Sequence, residues 1–90
     1  MRKIILDTEQ MRSQSQLHQY LREALQLPAY YGANLDALYD CLTELSEPTE
    51  LTIQGKVAEE AYLGRYGAML LRVLQDAAAA NRNLQITVQP

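Results

Sequence analysis

Three short stretches of the chain have the hydrophobic pattern of β-strands. Residues 3–6 form an apolar run that ends at Asp7, which is typical of a short buried strand. Residues 50–54 and residues 84–88 alternate hydrophobic and polar side chains, the period of a strand with one buried face. Because helical segments separate these stretches, the sequence predicts a parallel sheet.

Between the strands, hydrophobic residues recur at helical spacing. The first helix has a predicted N-cap at Ser15, ends before Pro28 and buries Leu17, Tyr20, Leu21, Ala24 and Leu25. Asn34 caps a second helix that buries Leu35, Leu38, Leu42 and Leu45. A short helix is predicted in residues 57–63, and a longer one in residues 66–80 buries Met69, Leu70, Val73, Leu74 and Ala77. We therefore expect an α/β fold in which a three-stranded parallel sheet packs with about four helices.

Composition indicates a single compact domain. The chain has 90 residues, of which 48% are hydrophobic and 21% charged, so disorder is not expected. No apolar run approaches the ~18 residues of a membrane span. The apolar stretch near the N-terminus is too short for a signal peptide, and one cysteine, Cys41, excludes an internal disulfide. We expect one domain over residues 1–90, located in the cytoplasm.

The distribution of charge is more informative than the net charge of -3. Between Arg22 and Lys56 there is no lysine or arginine, yet this segment holds six of the eleven carboxylates: Glu23, Asp36, Asp40, Glu44, Glu47 and Glu50. Such a segment attracts cationic surfaces and repels nucleic acid and anionic lipid. The alternative interpretation is an acidic face that only contacts solvent.

The second predicted helix places several of these side chains on one face. At about 100° per residue, four side chains project within roughly 60° of Asp36: Tyr39, Asp40, Thr43 and Glu47. The leucines of this helix project on the opposite side. Since the preceding loop adds Tyr30 and Tyr31 beside the acidic face, the segment has the composition of a protein-binding hot spot.

The stretch LPAYYGANLDALYDCLT, residues 27–43, closely resembles the signature of the barstar family, intracellular bacterial inhibitors of the secreted ribonuclease barnase. Weaker similarity covers roughly the whole chain. The resemblance implies the family fold, a three-stranded parallel sheet with helices. It also implies an inhibitor and not an enzyme. We expect no cofactor and no metal, and we expect a monomer when free, because nothing in the sequence demands a larger assembly. The expected partner is a basic, barnase-like ribonuclease, bound in a 1:1 complex.

The resemblance further implies which residues contact the ribonuclease. In the family, the aspartate at the position of Asp40 occupies the substrate phosphate site, and the one at Asp36 engages an arginine beside it. The tyrosine at the position of Tyr30 packs against the catalytic histidine. Further contacts are implied at Gly32, Asn34, Leu35, Tyr39, Thr43 and, on the last helix, Asp76.

Three departures from the family pattern motivate a second hypothesis. Tyr39 stands where barstar has tryptophan, and Glu44 and Leu45 replace a glycine–tryptophan pair. Ala80 stands where barstar has a further acidic residue. Under this hypothesis the chain is an interaction module that docks a different cationic protein, one that is not a nuclease.

For several other residues a structural role is favoured over a chemical one. His18 is expected to be a solvated or capping histidine rather than a general base, and Cys41 a buried thiol. Gly32 is expected to adopt a left-handed turn before the helix cap. Asp36 and Asp40 have no third ligand nearby in sequence, so no metal is expected. No basic patch accompanies the tyrosines, so neither nucleic acid nor membrane is an expected partner.

Overall fold

The computed structural model describes residues 1–90 and contains one three-stranded sheet and three α-helices. In chain order the elements are β1 (Arg2–Ile5), α1 (Gln14–Ala24), α2 (Leu35–Thr43), β2 (Thr49–Gln54), α3 (Arg65–Ala80) and β3 (Leu84–Gln89). The sheet order is β1-β2-β3, and both strand pairs are parallel. The predicted α/β fold with a three-stranded parallel sheet is confirmed, with three α-helices instead of about four.

The segment predicted to be a short fourth helix is not an α-helix. A single 3-10 helix, Gly55–Ala58, follows β2, and the chain then passes through turns in which the Leu63 N–H bonds to the Val57 C=O. Val57 is the only buried side chain in residues 57–63. The segment therefore lacks the hydrophobic stripe that would hold a short helix on the core.

Two helix boundaries also differ from the prediction. Ser13, not Ser15, is the N-cap of α1, because its Oγ accepts a hydrogen bond from the Gln16 N–H at 3.1 Å. Helix α2 ends at Thr43, so Glu47, predicted on its acidic face, lies beyond the helix. The acidic face of α2 is therefore shorter than the helical wheel indicates.

The helices pack against one face of the sheet. Side chains alternate between the two faces of a strand, and in β2 the alternate residues Leu51 and Ile53 are fully buried. They belong to a core of 16 buried side chains to which all three helices contribute. Met69 was expected in this core, but it is 48% exposed on α3. None of the helices combines the length and the hydrophobicity needed to cross a membrane.

Candidate functional site

Helix α2 is fixed at both ends by asparagine side chains. At the N-terminus, the Asn34 Oδ1 accepts a hydrogen bond from the Ala37 N–H at 2.7 Å, as predicted for an N-cap. At the other end, the Asn81 Nδ2 donates to the C=O groups of Leu42 and Leu45, each at 2.9 Å. With Leu38 and Leu42 buried beneath it, α2 is a rigid support for the side chains on its outer face.

The loop before α2 contains two left-handed residues, Gln26 and Ala33, but neither is the one predicted. Ala33 has φ 54°, whereas Gly32 does not have a positive φ. The Asn34 Nδ2 donates to the Gly32 C=O at 3.3 Å, so the asparagine that caps the helix also holds the loop. An L-residue in this conformation is strained by roughly 1–2 kcal/mol. The surrounding hydrogen bonds therefore hold Ala33 in a left-handed backbone conformation that alanine rarely adopts.

A buried histidine anchors the same loop. His18 Nδ1 lies 2.6 Å from the Tyr31 hydroxyl, and His18 Nε2 lies 2.7 Å from the Tyr66 hydroxyl. His18 is only 3% exposed and Tyr31 only 9% exposed, so the predictions of a solvated His18 and of an exposed Tyr31 were both wrong, although Tyr31 does line the groove beside Asp40. This network ties the loop to α1 and α3, and burial lowers the pKa of His18 and raises the pKa of Tyr31.

The outer face of α2 presents carboxylates without counter-charges. Asp36 and Asp40 are exposed and one helical turn apart, and neither forms an ion pair. Tyr30 is 84% exposed beside them, whereas Tyr39 is half-buried against the core. We call Tyr30, Asp36, Tyr39 and Asp40 the recognition surface. No cation of the protein pairs with the carboxylates of this surface, so both can bind cations of another molecule.

Two open grooves border α2, and the two aspartates line different ones. The Asp40 groove, of about 400 Å³, is lined among others by Tyr30, Gly32, Asp40, Cys41, Thr43 and Glu44. A second groove, of about 530 Å³, contains Asn34, Leu35 and Asp36 together with Tyr66 of α3. The structure thus distributes the predicted contact residues along both sides of the helix.

One of the residues that line the Asp40 groove has a different environment from the one predicted. Cys41 was expected to be a buried thiol, but it is only half-buried. Burial raises the pKa of the Cys41 thiol, and the neighbouring Glu44 and Asp40 raise it further. The thiol is therefore held in its neutral form beside the acidic face. The Thr43 hydroxyl donates to the Asp40 C=O at 3.0 Å, so it can only accept a bond from a partner.

Asp76, predicted to contact the partner, lies on a different helix from these residues. It is exposed on α3, lines neither groove, and its Oδ2 lies 4.0 Å from the Arg72 Nε in an i,i+4 pair. The structure therefore places eight of the nine predicted contact residues on α2 and its preceding loop, and Asp76 on α3. No group of three or more His, Cys, Asp or Glu side chains is placed to hold a metal ion.

Fold and site together define a small α/β domain with a rigid, acidic surface on one helix. Comparison with known proteins agrees: the family model described as "Barstar (barnase inhibitor)" matches residues 1–89, and the chain belongs to the barstar family. Members of this family are inhibitors and not enzymes. One relative, from Bacillus subtilis (strain 168), is 41% identical over 78 residues, which is 86% of each chain. Its name is "Putative ribonuclease inhibitor YrdF".

Proposed function

We propose that this protein inhibits a basic, barnase-like ribonuclease by covering the active site of the enzyme in a 1:1 complex. The observation that carries the proposal is the pair of unpaired carboxylates, Asp36 and Asp40, on a helix fixed at both ends. A ribonuclease must attract phosphate groups, so its active site is positively charged. A carboxylate presented on a rigid helix has the charge and the acceptor oxygens to take the place of a phosphate.

In the proposed complex, Asp40 occupies the position of the substrate phosphate. Its location at the rim of the Asp40 groove allows the side chain of a catalytic residue to enter the groove while cations bind the carboxylate. Tyr30 projects from the same rim and is 84% exposed, so its ring can cover an imidazole of the enzyme. Asp36, one turn earlier, accepts a hydrogen bond from an arginine beside the active site.

The remaining predicted contacts extend this surface. Along the loop, the enzyme surface contacts the backbone at Gly32, the cap residue Asn34 and the side chain of Leu35. At the end of α2, Thr43 accepts a hydrogen bond. Asp76 lies on α3, and its contact with Arg72 at 4.0 Å is exposed and weak. Under the proposal it pairs with a cation at the edge of the interface.

Rigidity supports the proposal as much as charge does. Residues that are ordered before binding lose little conformational entropy when the complex forms. The cap at Asn34 and the contact between His18 and Tyr31 hold the loop and the helix in one arrangement in the free protein. The free energy of the charge contacts is then available for affinity.

The test is a titration of purified barnase cleaving RNA, with Asp40→Asn as the variant and Glu60→Gln as the control. Both substitutions remove one exposed carboxylate and keep its size, but Glu60 lies far from α2 in sequence and lines neither groove. Leaving a buried interfacial cation unpaired costs about 3–5 kcal/mol. Inhibition should therefore be stoichiometric with the unchanged protein and with Glu60→Gln, and at least about 100-fold weaker with Asp40→Asn.

Salt provides a second readout of the same proposal. Association steered by opposite charges slows as ionic strength rises. The salt dependence of the association rate should be weaker for Asp40→Asn than for the unchanged protein. For Glu60→Gln it should change by no more than the removal of one distant charge requires. Equal inhibition by all three proteins would refute the phosphate-mimic mechanism.

A different cationic partner, not a nuclease, is the second candidate. The observation in its favour is Glu44, which is exposed, lines the Asp40 groove and stands where barstar has glycine. No inhibition of barnase, together with binding to a basic non-nuclease protein that Asp36→Asn abolishes, would support this candidate instead.

A further inference from the structure

The outer edge of β3 carries unpaired backbone groups. The Thr49 N–H bonds to the Asn83 C=O at 2.7 Å, and in a parallel ladder every second residue turns both backbone groups towards the same neighbour. Gln85 and Thr87 therefore face β2. Ile86 and Val88 turn their N–H and C=O groups outward, and no turn or loop of the chain bonds to them.

This edge lacks the features that usually protect a free strand. Edge strands are commonly short, charged or interrupted by proline. The six residues of β3, LQITVQ, contain no charge and no proline, and four of them are exposed. The other edge of the sheet differs, because β1 has only four residues and two of them, Arg2 and Lys3, are cations.

We propose that two copies of this chain pair through β3, antiparallel across a two-fold axis, to form a continuous six-stranded sheet. With Thr87 opposite Thr87 of the second copy, Ile86 of each chain lies opposite Val88 of the other. The outward groups of these residues then exchange four backbone hydrogen bonds, which satisfies the N–H and C=O of both residues.

The side chains fit this register on both faces of the sheet. On the helix side, the half-buried Ile86 and the 36% exposed Val88 cover each other, and cross-strand pairs of β-branched residues are favourable. On the open side, the two Thr87 hydroxyls meet at the axis, and Gln85 faces Gln89. No charge opposes another charge, whereas the same pairing through β1 would bring four cations together.

The pairing is weak and reversible. One strand pair buries less than the ~1,200 Å² of a stable interface, so we expect a dissociation constant of roughly 0.1–1 mM. The monomer predicted from the sequence is then the dilute form. The proposal does not rest on the inhibitor function, because β3 contains no residue of the recognition surface.

Cross-linking tests the register directly, in a Cys41→Ala background. The residues at the axis form a non-hydrogen-bonded pair with Cα atoms about 4.5 Å apart, close enough for a disulfide. Thr87→Cys should therefore give a covalent dimer on mild oxidation. Gln85→Cys is the matched control: it is on the same strand and face, but its two copies would be roughly 13 Å apart, four residues along the strand. Equal cross-linking of both variants, or of neither, would overturn the proposal.

Sedimentation equilibrium tests the association without a covalent bond. From about 10 μM to about 1 mM protein, the average mass should rise from 10.2 kDa towards twice that value. Thr87→Lys places two ammonium groups opposite each other and should abolish the rise, whereas Ile5→Lys, the same change on the opposite edge strand, should leave it intact. Pairing through β3 would be contradicted if the average mass stayed at that of one chain at every concentration. It would also be contradicted if Ile5→Lys, and not Thr87→Lys, abolished the rise.

Discussion

Acidification should destabilise this protein through His18, at a pH where its carboxylates are still ionised. The imidazole is 3% exposed and contacts only two tyrosine hydroxyls in its hydrogen bonds, with no carboxylate to stabilise a positive charge. In the neutral ring, one nitrogen accepts a hydrogen bond from one hydroxyl and the other donates to the second. Burial therefore lowers the pKa of His18 below its ordinary value of 6.5.

The sign and size of the effect follow from proton linkage. Below pH 6.5 the unfolded chain binds a proton at His18 that the folded chain does not bind, so stability is fully present above this pH and falls as pH decreases. The loss approaches about 1.4 kcal/mol per pH unit until the folded-state pKa is reached. Between about pH 7.5 and pH 5.5 we therefore expect a loss of at most about 1.4 kcal/mol, the value for an imidazole that stays neutral in the folded protein over this range.

Urea unfolding at several pH values measures this loss, with His18→Gln as the control. Glutamine can still donate to one hydroxyl and accept from the other, but it does not titrate. The variant should be less stable at neutral pH, and its free energy of unfolding should change little down to about pH 5.5. If both proteins lost stability equally between these pH values, or if neither did, the effect could not be assigned to the buried imidazole.

Three further substitutions and one control test how the fold holds the site, each by its midpoint of urea unfolding. Gly67→Ala should destabilise by about 1–3 kcal/mol despite alanine's higher helix propensity, because a Cβ there would overlap the Val57 carbonyl group. Ala68→Gly, its exposed neighbour, should cost only about 1 kcal/mol. Ala33→Gly should raise stability by about 0.5–1 kcal/mol, because it relieves the positive φ. Asn34→Ala should cost about 1 kcal/mol through loss of the N-cap. A stabilised Gly67→Ala, or no change at Ala33 or Asn34, would contradict these reasons.

Most of the fold could be predicted because local patterns determine it. Strand alternation and the leucine spacing of the helices gave the sheet and the order of elements. The helix start was predicted two residues late, although the sequence carried a signal. Ser13 and Gln16 have the spacing of a capping box, and the Gln16 Oε1 does reach back, to the Arg12 N–H at 2.8 Å.

The site was less predictable where it depends on contacts distant in sequence. The position of Asp36 and Asp40 on one helix face follows from helical spacing alone. His18 also has helical spacing to Leu21 and Leu25, which places it on the buried stripe of α1, so its burial could have been inferred. Its contact with Tyr66 could not, because 48 residues separate the two and no pattern in a single sequence relates them.

Under the proposed function, the acidic face of α2 slightly destabilises the free protein but favours the complex. Asp36 and Asp40 repel each other at i,i+4 spacing, and so do Asp40 and Glu44. Glu44 also caps the C-terminal end of α2, where the helix dipole disfavours a negative charge. Each of these interactions costs only a few tenths of a kcal/mol, and the caps and buried leucines offset them. A cationic partner would attract all three carboxylates at once and offset these repulsions, so the arrangement that slightly weakens the free helix is the one that strengthens a complex.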